Sequence, residues 1–427
     1  MNQISIKYQK PLLGEIISPP DKSISHRAVI ISSLSEGKSI IRNFLHAEDP
    51  ERTLKALRKM DIDIDEKGKE LVITGKGLTG LKKPENIIDC GNSGTTMRLL
   101  SGVLAGQPFS AALTGDSSLK NRPMQRIITP LTEMGAVITS ERGGYPPLSI
   151  KGGKLKPINY RSPVASAQVK SAILLAGLYC DGATSVTEPS KSRDHTEKML
   201  KASGADISIK GLEISIKGRA NLKPLDIDIP GDFSSAAFFI VAGVLVPDSK
   251  ILIKNTGINP TRTGLIDILK KMGADISLES RRESSGEPVA DIYIKHSPLT
   301  GIEIDSDMVL KAIDEFSVLC VAASKAQGIT KITGAKELRV KESDRIALMA
   351  KELRKMGVEI QELEDGLVIE GRETLKSATI QSHGDHRIAM AMLVAGLTAG
   401  GETTVKDTGC INTSFPGFVE MLSKLSS

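Results

Sequence analysis

Asp21-Lys-Ser-Ile-Ser-His-Arg-Ala-Val-Ile-Ile-Ser-Ser-Leu-Ser-Glu-Gly37 is the stretch on which the reading of the fold turns. A capping-type cluster opens it, an almost wholly apolar run follows, and Gly37 closes it before strand-like residues. This is the pattern of a helix with a polar start and an abrupt stop. A helix that is apolar on nearly every face has to be enclosed by protein, so the stretch predicts an interior rod.

The same pattern recurs at Gly91–Gly106, at Ser166–Gly177 running on to Gly182, at Gly231–Gly243, at Asp314–Gly328 and at Asp385–Gly396 running on to Gly400. Each of the first five is trailed by a more polar helix with a shared tail. These tails read Lys-Met-Asp-Ile-Asp from 59, Glu-Met-Gly-Ala-Val from 133, Ala-Ser-Gly-Ala-Asp from 202, Lys-Met-Gly-Ala-Asp from 271 and Lys-Met-Gly-Val-Glu from 355. A further helix, Phe418-Val-Glu-Met-Leu, ends the pattern. Recurrence about every 70–85 residues predicts six units that need their neighbours to cover their apolar faces.

Composition narrows the function. A net charge of +5 over 427 residues is too slight for a nucleic-acid binder, yet suits a locally basic cleft for small anions. With 3% aromatics and no Trp there is little to stack on bases or sugars, so recognition should rest on charge and hydrogen bonds. Cys90, Cys180, Cys320 and Cys410 are far apart with no Cys-x-x-Cys, which points to buried thiols in a reducing compartment, with no metal site and no disulfide framework. The chain opens without a leader pattern, and its longest apolar run, Ala236–Val246, falls short of the ~20 residues that a membrane span needs. A soluble, cytoplasmic protein is expected.

The polar residues gather at helix starts. Pro19-Pro20 reads as a crossover, and Lys22, Ser23 and Arg27 at the following helix start would make an anion site, or equally an ordinary capped helix with solvated charges. Gly75-Lys-Gly-Leu-Thr-Gly80 matches a dinucleotide fingerprint but does not lead into a helix, so it is set aside as a turn. Gly91-Asn-Ser-Gly-Thr-Thr would let a ligand oxygen approach the backbone, and the loop Thr114–Met124 carries Lys120 and Arg122 ahead of Pro123, expected at the first helical position. Pro230-Gly231 reads as the return crossover, Thr261-Arg-Thr-Gly264 as a segment without evident chemistry, and Ser280–Pro288 as a surface hairpin. Asp314 and Glu315 open the fifth interior helix, where a general base could be held ionised. The charged run Glu337–Arg345 and the triplet Asp385-His386-Arg387 complete the polar set.

Taken together, Asp21-Lys-Ser-Ile-Ser-His-Arg, Gly91-Asn-Ser-Gly-Thr-Thr-Met-Arg, Arg122-Pro-Met, Ser166-Ala-Gln, Arg193-Asp-His-Thr, Arg339-Val-Lys-Glu-Ser-Asp-Arg and Asp385-His-Arg closely resemble the 5-enolpyruvylshikimate-3-phosphate synthase family over essentially the full length. The resemblance implies an α/β fold: a two-domain, inside-out α/β barrel of six β-α-β-α-β-β repeats with parallel buried helices. Residues 21–230 would form one domain, and 1–20 with 231–427 the other, with the active site in the cleft between them. It also implies transfer of the enolpyruvyl group of phosphoenolpyruvate to the 5-hydroxyl of shikimate 3-phosphate, with release of phosphate and no metal or organic cofactor. A monomer is expected.

Carried over by residue, the resemblance implies that Ser23 and Arg27 hold the shikimate carboxylate. Ser166, Ala167, Arg193 and Lys341 would hold its phosphate, with Lys22, Gln168, Asp314 and Glu337 also at this substrate. Lys22, the Gly94 amide and Arg122 would bind the phosphoenolpyruvate phosphate, Gln168 would lie between the two ligands, and Arg345 and Arg387 would fork the phosphoenolpyruvate carboxylate. Asp314 would be the base and Glu342 the acid, with His386 supporting and Lys22 assisting phosphate departure. Ala167, Arg193, Glu337 and Thr413 differ from residues found in other members. Gly94 leaves room beside the phosphoenolpyruvate site, so inhibition by the phosphonate analogue glyphosate is expected. Two rival readings are a related enolpyruvyl transferase acting on UDP-N-acetylglucosamine, expected to carry a Cys in the loop at 115–124 where this chain has none, and a non-catalytic anion-binding repeat protein.

Overall fold

The computed structural model describes residues 2–426. The chain is a mixed α/β protein that divides into two compact units. The first body comprises Pro20–Ile229 with Ser284–Glu287, and the second comprises the chain up to Pro19, Pro230–Glu283 and everything from Pro288 onward. Each body has its own hydrophobic core.

Six long apolar helices run through these cores: α1 (Lys22–Leu34), α2 (Gly94–Ala105), α3 (Ala167–Gly177), α4 (Phe233–Leu245), α5 (Phe316–Lys325) and α6 (His386–Gly396). Every residue of α4 is buried, as is every residue of α6. Burial on all sides accounts for the absence of an amphipathic stripe. Five begin at a polar cap whose side chain accepts a backbone N–H: Asp21, Ser93, Ser166, Asp232 and Asp385. Inside the first body α2 and α3 pack closely. A Cβ on Gly102 would fall 2.2 Å from the Ala172 carbonyl oxygen, so only glycine permits this approach.

Among the described residues the strands form five four-stranded sheets and one of three strands. The first body shows the common plan. Glu36–Arg42 pairs parallel with Asp226–Asp228 and antiparallel with Glu70–Lys76, whose other neighbour is Asp63–Lys67. Each of the other four-stranded sheets likewise combines one parallel pair with an antiparallel hairpin. In the second body Gln3–Ile6, Thr403–Lys406 and Thr379–Gln381 make the smaller sheet. Amphipathic helices cover the sheets, among them Gln125–Glu133, His195–Ala202, Gly264–Lys271 and Arg345–Lys355.

Three local readings change. The 114–124 stretch contains a short helix, Ser117–Lys120, and the next helix starts at Gln125, so Pro123 precedes the helix instead of opening it. Asp314 and Glu315 lie in a single 3-10 turn, Ile313–Glu315, and α5 proper begins at Phe316. The strands Asp275–Ser284 and Glu287–Lys295 do form a hairpin, but Glu287 at its tip is buried.

Candidate active site

In the first body the candidate residues collect at the starts of α1, α2 and α3. Asp21 caps α1 by accepting from Ile24 N at 2.8 Å, and the first residues beyond the cap are Lys22 and Ser23. Lys22 Nζ lies 3.1 Å from Asp49 Oδ2. Arg27, one turn on and buried, donates to Ser23 O (3.0 Å), Ser171 Oγ (3.0 Å) and Thr196 Oγ1 (2.7 Å). Ser171 also bonds to Thr196 at 2.6 Å and donates to Ala167 O at 2.5 Å. The guanidinium is thereby fixed between α1, α3 and the helix His195–Ala202. Arg193 Nη1 is 3.4 Å from Ser23 Oγ. Ser23, Arg27, Ala167 and Arg193 thus belong to one hydrogen-bonded group, with Ser166 capping α3 beside it.

A buried ion cluster supports that group. Lys170 Nζ sits 2.8 Å from Glu188 Oε2 and 2.7 Å from Glu197 Oε1, all three almost fully enclosed. Glu188 also accepts from Ser192 Oγ at 2.5 Å, which anchors the residue preceding Arg193. Burial pushes the Glu197 carboxyl above its ordinary value, against the pull of Lys170. Nearby, potential ligand atoms of Asp194, His195 and Glu287 lie within 4.8 Å of one another. Lys198 Nζ stands 3.2 Å from Glu287 and 3.6 Å from Asp194, so an ammonium already answers their charge.

The α2 start makes a second group. Ser93 caps it, accepting from Thr96 N at 3.1 Å, and Gly94 is the first helical residue. An added Cβ on Gly94 would lie 2.9 Å from Arg98 Nη1 and 3.5 Å from Arg122 Nη1. Arg122 donates to Asn92 O (3.1 Å), Asn92 Oδ1 (2.5 Å) and Ser118 Oγ (3.0 Å). Gln168 accepts from Arg98 Nη1 at 2.6 Å and donates to Thr95 Oγ1 at 2.8 Å, which joins α3 to α2. Beneath, buried His26 contacts Thr53 at 2.7 Å and Thr53 contacts Thr96 at 2.7 Å. Burial, then Lys22 and Arg27, hold the His26 pKa well below the usual histidine range. Arg98 was not singled out from the sequence. Its signal was there, since it follows Gly94 at the same four-residue spacing by which Arg27 follows Ser23.

In the second body the candidates gather around Arg345, which is 1% exposed at the start of Arg345–Lys355. Its Nε donates to Asp385 Oδ2 at 2.9 Å, and its Nη2 reaches Glu342 Oε2 at 2.6 Å and Asp385 Oδ1 at 3.3 Å. Nη1 faces Asp314 Oδ1 at 3.9 Å. Arg387 donates from Nη1 to Asp314 O at 2.6 Å and places Nη2 3.8 Å from Asp314 Oδ2. Two guanidinium groups therefore flank one carboxylate at distances beyond a direct hydrogen bond.

Asp385 also caps α6 and accepts from Ser343 Oγ at 2.9 Å. Against its complete burial, the Arg345 guanidinium and then His386 hold Asp385 below the usual carboxylate range. Burial alone would lower the Arg345 pKa, yet Asp385, Glu342 and Asp314 raise it above its ordinary value. For Lys341 the balance is reversed. Desolvation draws its ammonium below the usual lysine range although Asp314, Glu342 and Glu337 oppose that. Glu337 and Lys341 stand at the two ends of a 3-10 turn, Lys336–Val340, with Lys341 immediately beyond it. Arg339 braces this segment with bonds to Asp344 (2.9 Å) and Glu362 (2.7 Å). Buried His386 opens α6.

Two further readings change here. Glu315 is buried and accepts from Ser234, so it is structural while its neighbour Asp314 faces the arginines. Thr261-Arg-Thr holds a buried ion pair, Arg262 Nη2 to Asp232 Oδ1 at 2.9 Å, which occupies the α4 start with a side chain of the protein.

A family model described as EPSP synthase (3-phosphoshikimate 1-carboxyvinyltransferase) matches residues 6–422. Among curated relatives, the 3-phosphoshikimate 1-carboxyvinyltransferase of Geotalea uraniireducens is 55% identical over 426 residues, covering 100% of this chain and 99% of the relative. That of Geobacter metallireducens is 53% identical over 428 residues, covering both chains fully. The solved EPSP synthase from Acinetobacter baumannii superposes with a TM-score of 0.88 at 48% identity, covering 99% of this chain and 98% of that one. The enolpyruvyl transferase NikO from Streptomyces tendae shares the fold at a TM-score of 0.80 and 18% identity.

Proposed function

The chain belongs to the EPSP synthase (3-phosphoshikimate 1-carboxyvinyltransferase) family, and from that premise we propose how its two groups of side chains divide the work. It is an enolpyruvyl transferase of the shikimate pathway, moving the enolpyruvyl group of phosphoenolpyruvate to the 5-hydroxyl of shikimate 3-phosphate with release of phosphate. The six sheets with their interior helices are six copies of one repeat, three to a body. The enzyme works as a cytoplasmic monomer.

In the first body, Ser23 and Arg27 take the shikimate carboxylate, while Ser166, the Ala167 amide and Arg193 take its phosphate with Lys341 of the second body. Support comes from the fixed Arg27 guanidinium, which needs no reordering on binding. Gln168 and Glu337 complete this half. Lys22, the Gly94 amide and Arg122 take the phosphoenolpyruvate phosphate, and Arg98 beside Gly94 adds a cation there. In the second body, Arg345 and Arg387 fork the phosphoenolpyruvate carboxylate.

Keeping the carbon–carbon double bond through the transfer requires addition followed by elimination. The methylene carbon gains a proton as the 5-oxygen bonds to the neighbouring carbon, and loses one as phosphate leaves. Asp314 accepts the hydroxyl proton. Two guanidiniums flank its carboxylate at 3.9 and 3.8 Å. Glu342 delivers the proton to carbon and, left as a carboxylate, takes one back from it in the elimination, with His386 supporting, while Lys22 meets the charge that develops on departing phosphate.

Glu342 is paired with Arg345, which holds it beside the arginine fork. Arg345 Nη2 lies 2.6 Å from Glu342 Oε2, and a substrate carboxylate competes for the same guanidinium. Binding phosphoenolpyruvate therefore weakens that grip on the Glu342 carboxyl. The observation that carries the reading is Asp314 bracketed by Arg345 and Arg387 at 3.9 and 3.8 Å. A phosphate-release assay tests it directly. Shikimate 3-phosphate with phosphoenolpyruvate should support turnover and UDP-N-acetylglucosamine with phosphoenolpyruvate should not; the opposite preference refutes it.

A further inference from the structure

The chain reaches α6 through an unusual turn. The strand Thr379–Gln381 ends, His383 and Gly384 follow with φ of 55° and 73°, and Asp385 then caps the helix. Two successive left-handed residues reverse the chain within three positions, and for His383, which has a Cβ, that conformation is strained. Something must hold it.

The holder is Glu352, fully buried near the end of the helix Arg345–Lys355. Its Oε2 accepts from Gln381 N at 3.1 Å and from Lys355 Nζ at 2.5 Å, and its Oε1 meets His383 Nε2 at 3.1 Å. The same helix grips the far side of the turn two turns earlier, where Arg345 binds Asp385. The 381–385 segment is thus fastened to one helix at both ends, with the strained residue between. Ser382 closes the loop, donating to Asp407 O at 2.9 Å and accepting from Gly384 N at 3.2 Å. Lys355, His383 and Gln381 hold the Glu352 carboxyl below its ordinary range although burial opposes this, in keeping with an ionised anchor.

We propose that Glu352 is a positioning residue for the phosphoenolpyruvate carboxylate grip: it pins the Gln381–Gly384 turn so that Asp385 and Arg387 meet Arg345 and Asp314 in register. It touches no substrate. The inference rests on the reading of Arg345 and Arg387 as the carboxylate fork. A loosened turn would displace Arg387, whose Nη1 bond to Asp314 O is made from the helix that this turn launches. The shikimate 3-phosphate groups of the first body do not depend on it.

The test is steady-state kinetics on the full-length enzyme with Glu352→Gln, His383→Ala and His383→Asn, with Arg387→Lys as a control. Glu352→Gln should raise KM for phosphoenolpyruvate by about 10-fold and leave KM for shikimate 3-phosphate within about 2-fold. His383→Ala should behave likewise, since it keeps the strain and loses the bond. His383→Asn should lie between wild type and His383→Ala, because Asn tolerates left-handed backbone but its shorter amide does not replace the bond made by Nε2. His383 is partly exposed, so these variants stay informative if Glu352→Gln folds poorly. Unchanged kinetics in Glu352→Gln and His383→Ala, or equal rises in both KM values, would overturn the proposal. If Arg387→Lys alone leaves the phosphoenolpyruvate KM unchanged, the reading of the arginine fork fails instead.

Discussion

Replacing Asp385 by Asn isolates the charge on which the second group of side chains depends. The substitution keeps the volume, and Asn caps a helix about as well as Asp. What it removes is the anion that Arg345 contacts through Nε at 2.9 Å and Nη2 at 3.3 Å. Removing one partner of a buried pair costs about 3–5 kcal/mol. Here Glu342 remains 2.6 Å from the same guanidinium and offsets part of the loss, so about 3 kcal/mol is expected. For a body of this size that corresponds to a fall in Tm of about 6–12 °C. The chain has no Trp, so unfolding is followed by circular dichroism. The pH dependence adds a second check. Asp385 has a depressed pKa in the folded state, so its contribution is complete above the unfolded carboxylate value of about 3.9 and vanishes as pH falls through the lower folded value. The gap between wild type and variant should be level from about pH 5 to 8 and should close below about pH 4. A gap under about 1 kcal/mol at neutral pH, or one that persists unchanged into strong acid, would refute the assignment of Arg345 and Asp385 as a buried ion pair.

Other substitutions separate the roles. Gly94→Ala puts a methyl 2.9 Å from Arg98 Nη1, which Gln168 holds in place, so KM for phosphoenolpyruvate and Ki for glyphosate should both rise about 10-fold or more in inhibition kinetics. Unchanged values would show that the arginine yields freely. Asp314→Asn should lower kcat by about 10²–10⁴ while both substrates still bind in calorimetry; loss of binding without loss of kcat contradicts its role as base. Thr196→Val removes an acceptor of the buried Arg27 and should weaken shikimate 3-phosphate about 10-fold with little change for phosphoenolpyruvate, as read from the two KM values.

How much of this was legible in the sequence depends on whether the signal is local. The interior helices could be read because an all-round apolar run between a polar cap and a glycine has one physical meaning, and α4 with every residue buried is the plainest case. The polar helix starts were legible for the same reason. Partnerships were not. Arg27 is held by Ser171 and Thr196, 144 and 169 positions away, and nothing near Arg27 in the chain announces them. Glu352 reads as one more charge on an amphipathic helix until the fold brings Gln381 and His383 to it. Arg262 was dismissed because the ion pair that explains it is made with Asp232, 30 positions earlier. Glu315 was paired with Asp314 in function because they are adjacent, yet successive residues of a turn point to different surroundings, and Glu315 is spent on Ser234.

The central claim is that Arg122 and Arg387 both act on phosphoenolpyruvate. Calorimetric titration of phosphoenolpyruvate, or of glyphosate as its analogue, into enzyme saturated with shikimate 3-phosphate tests it in Arg122→Ala and Arg387→Ala separately. The account predicts that each variant loses affinity by at least about 10-fold. Wild-type affinity in either variant would contradict it.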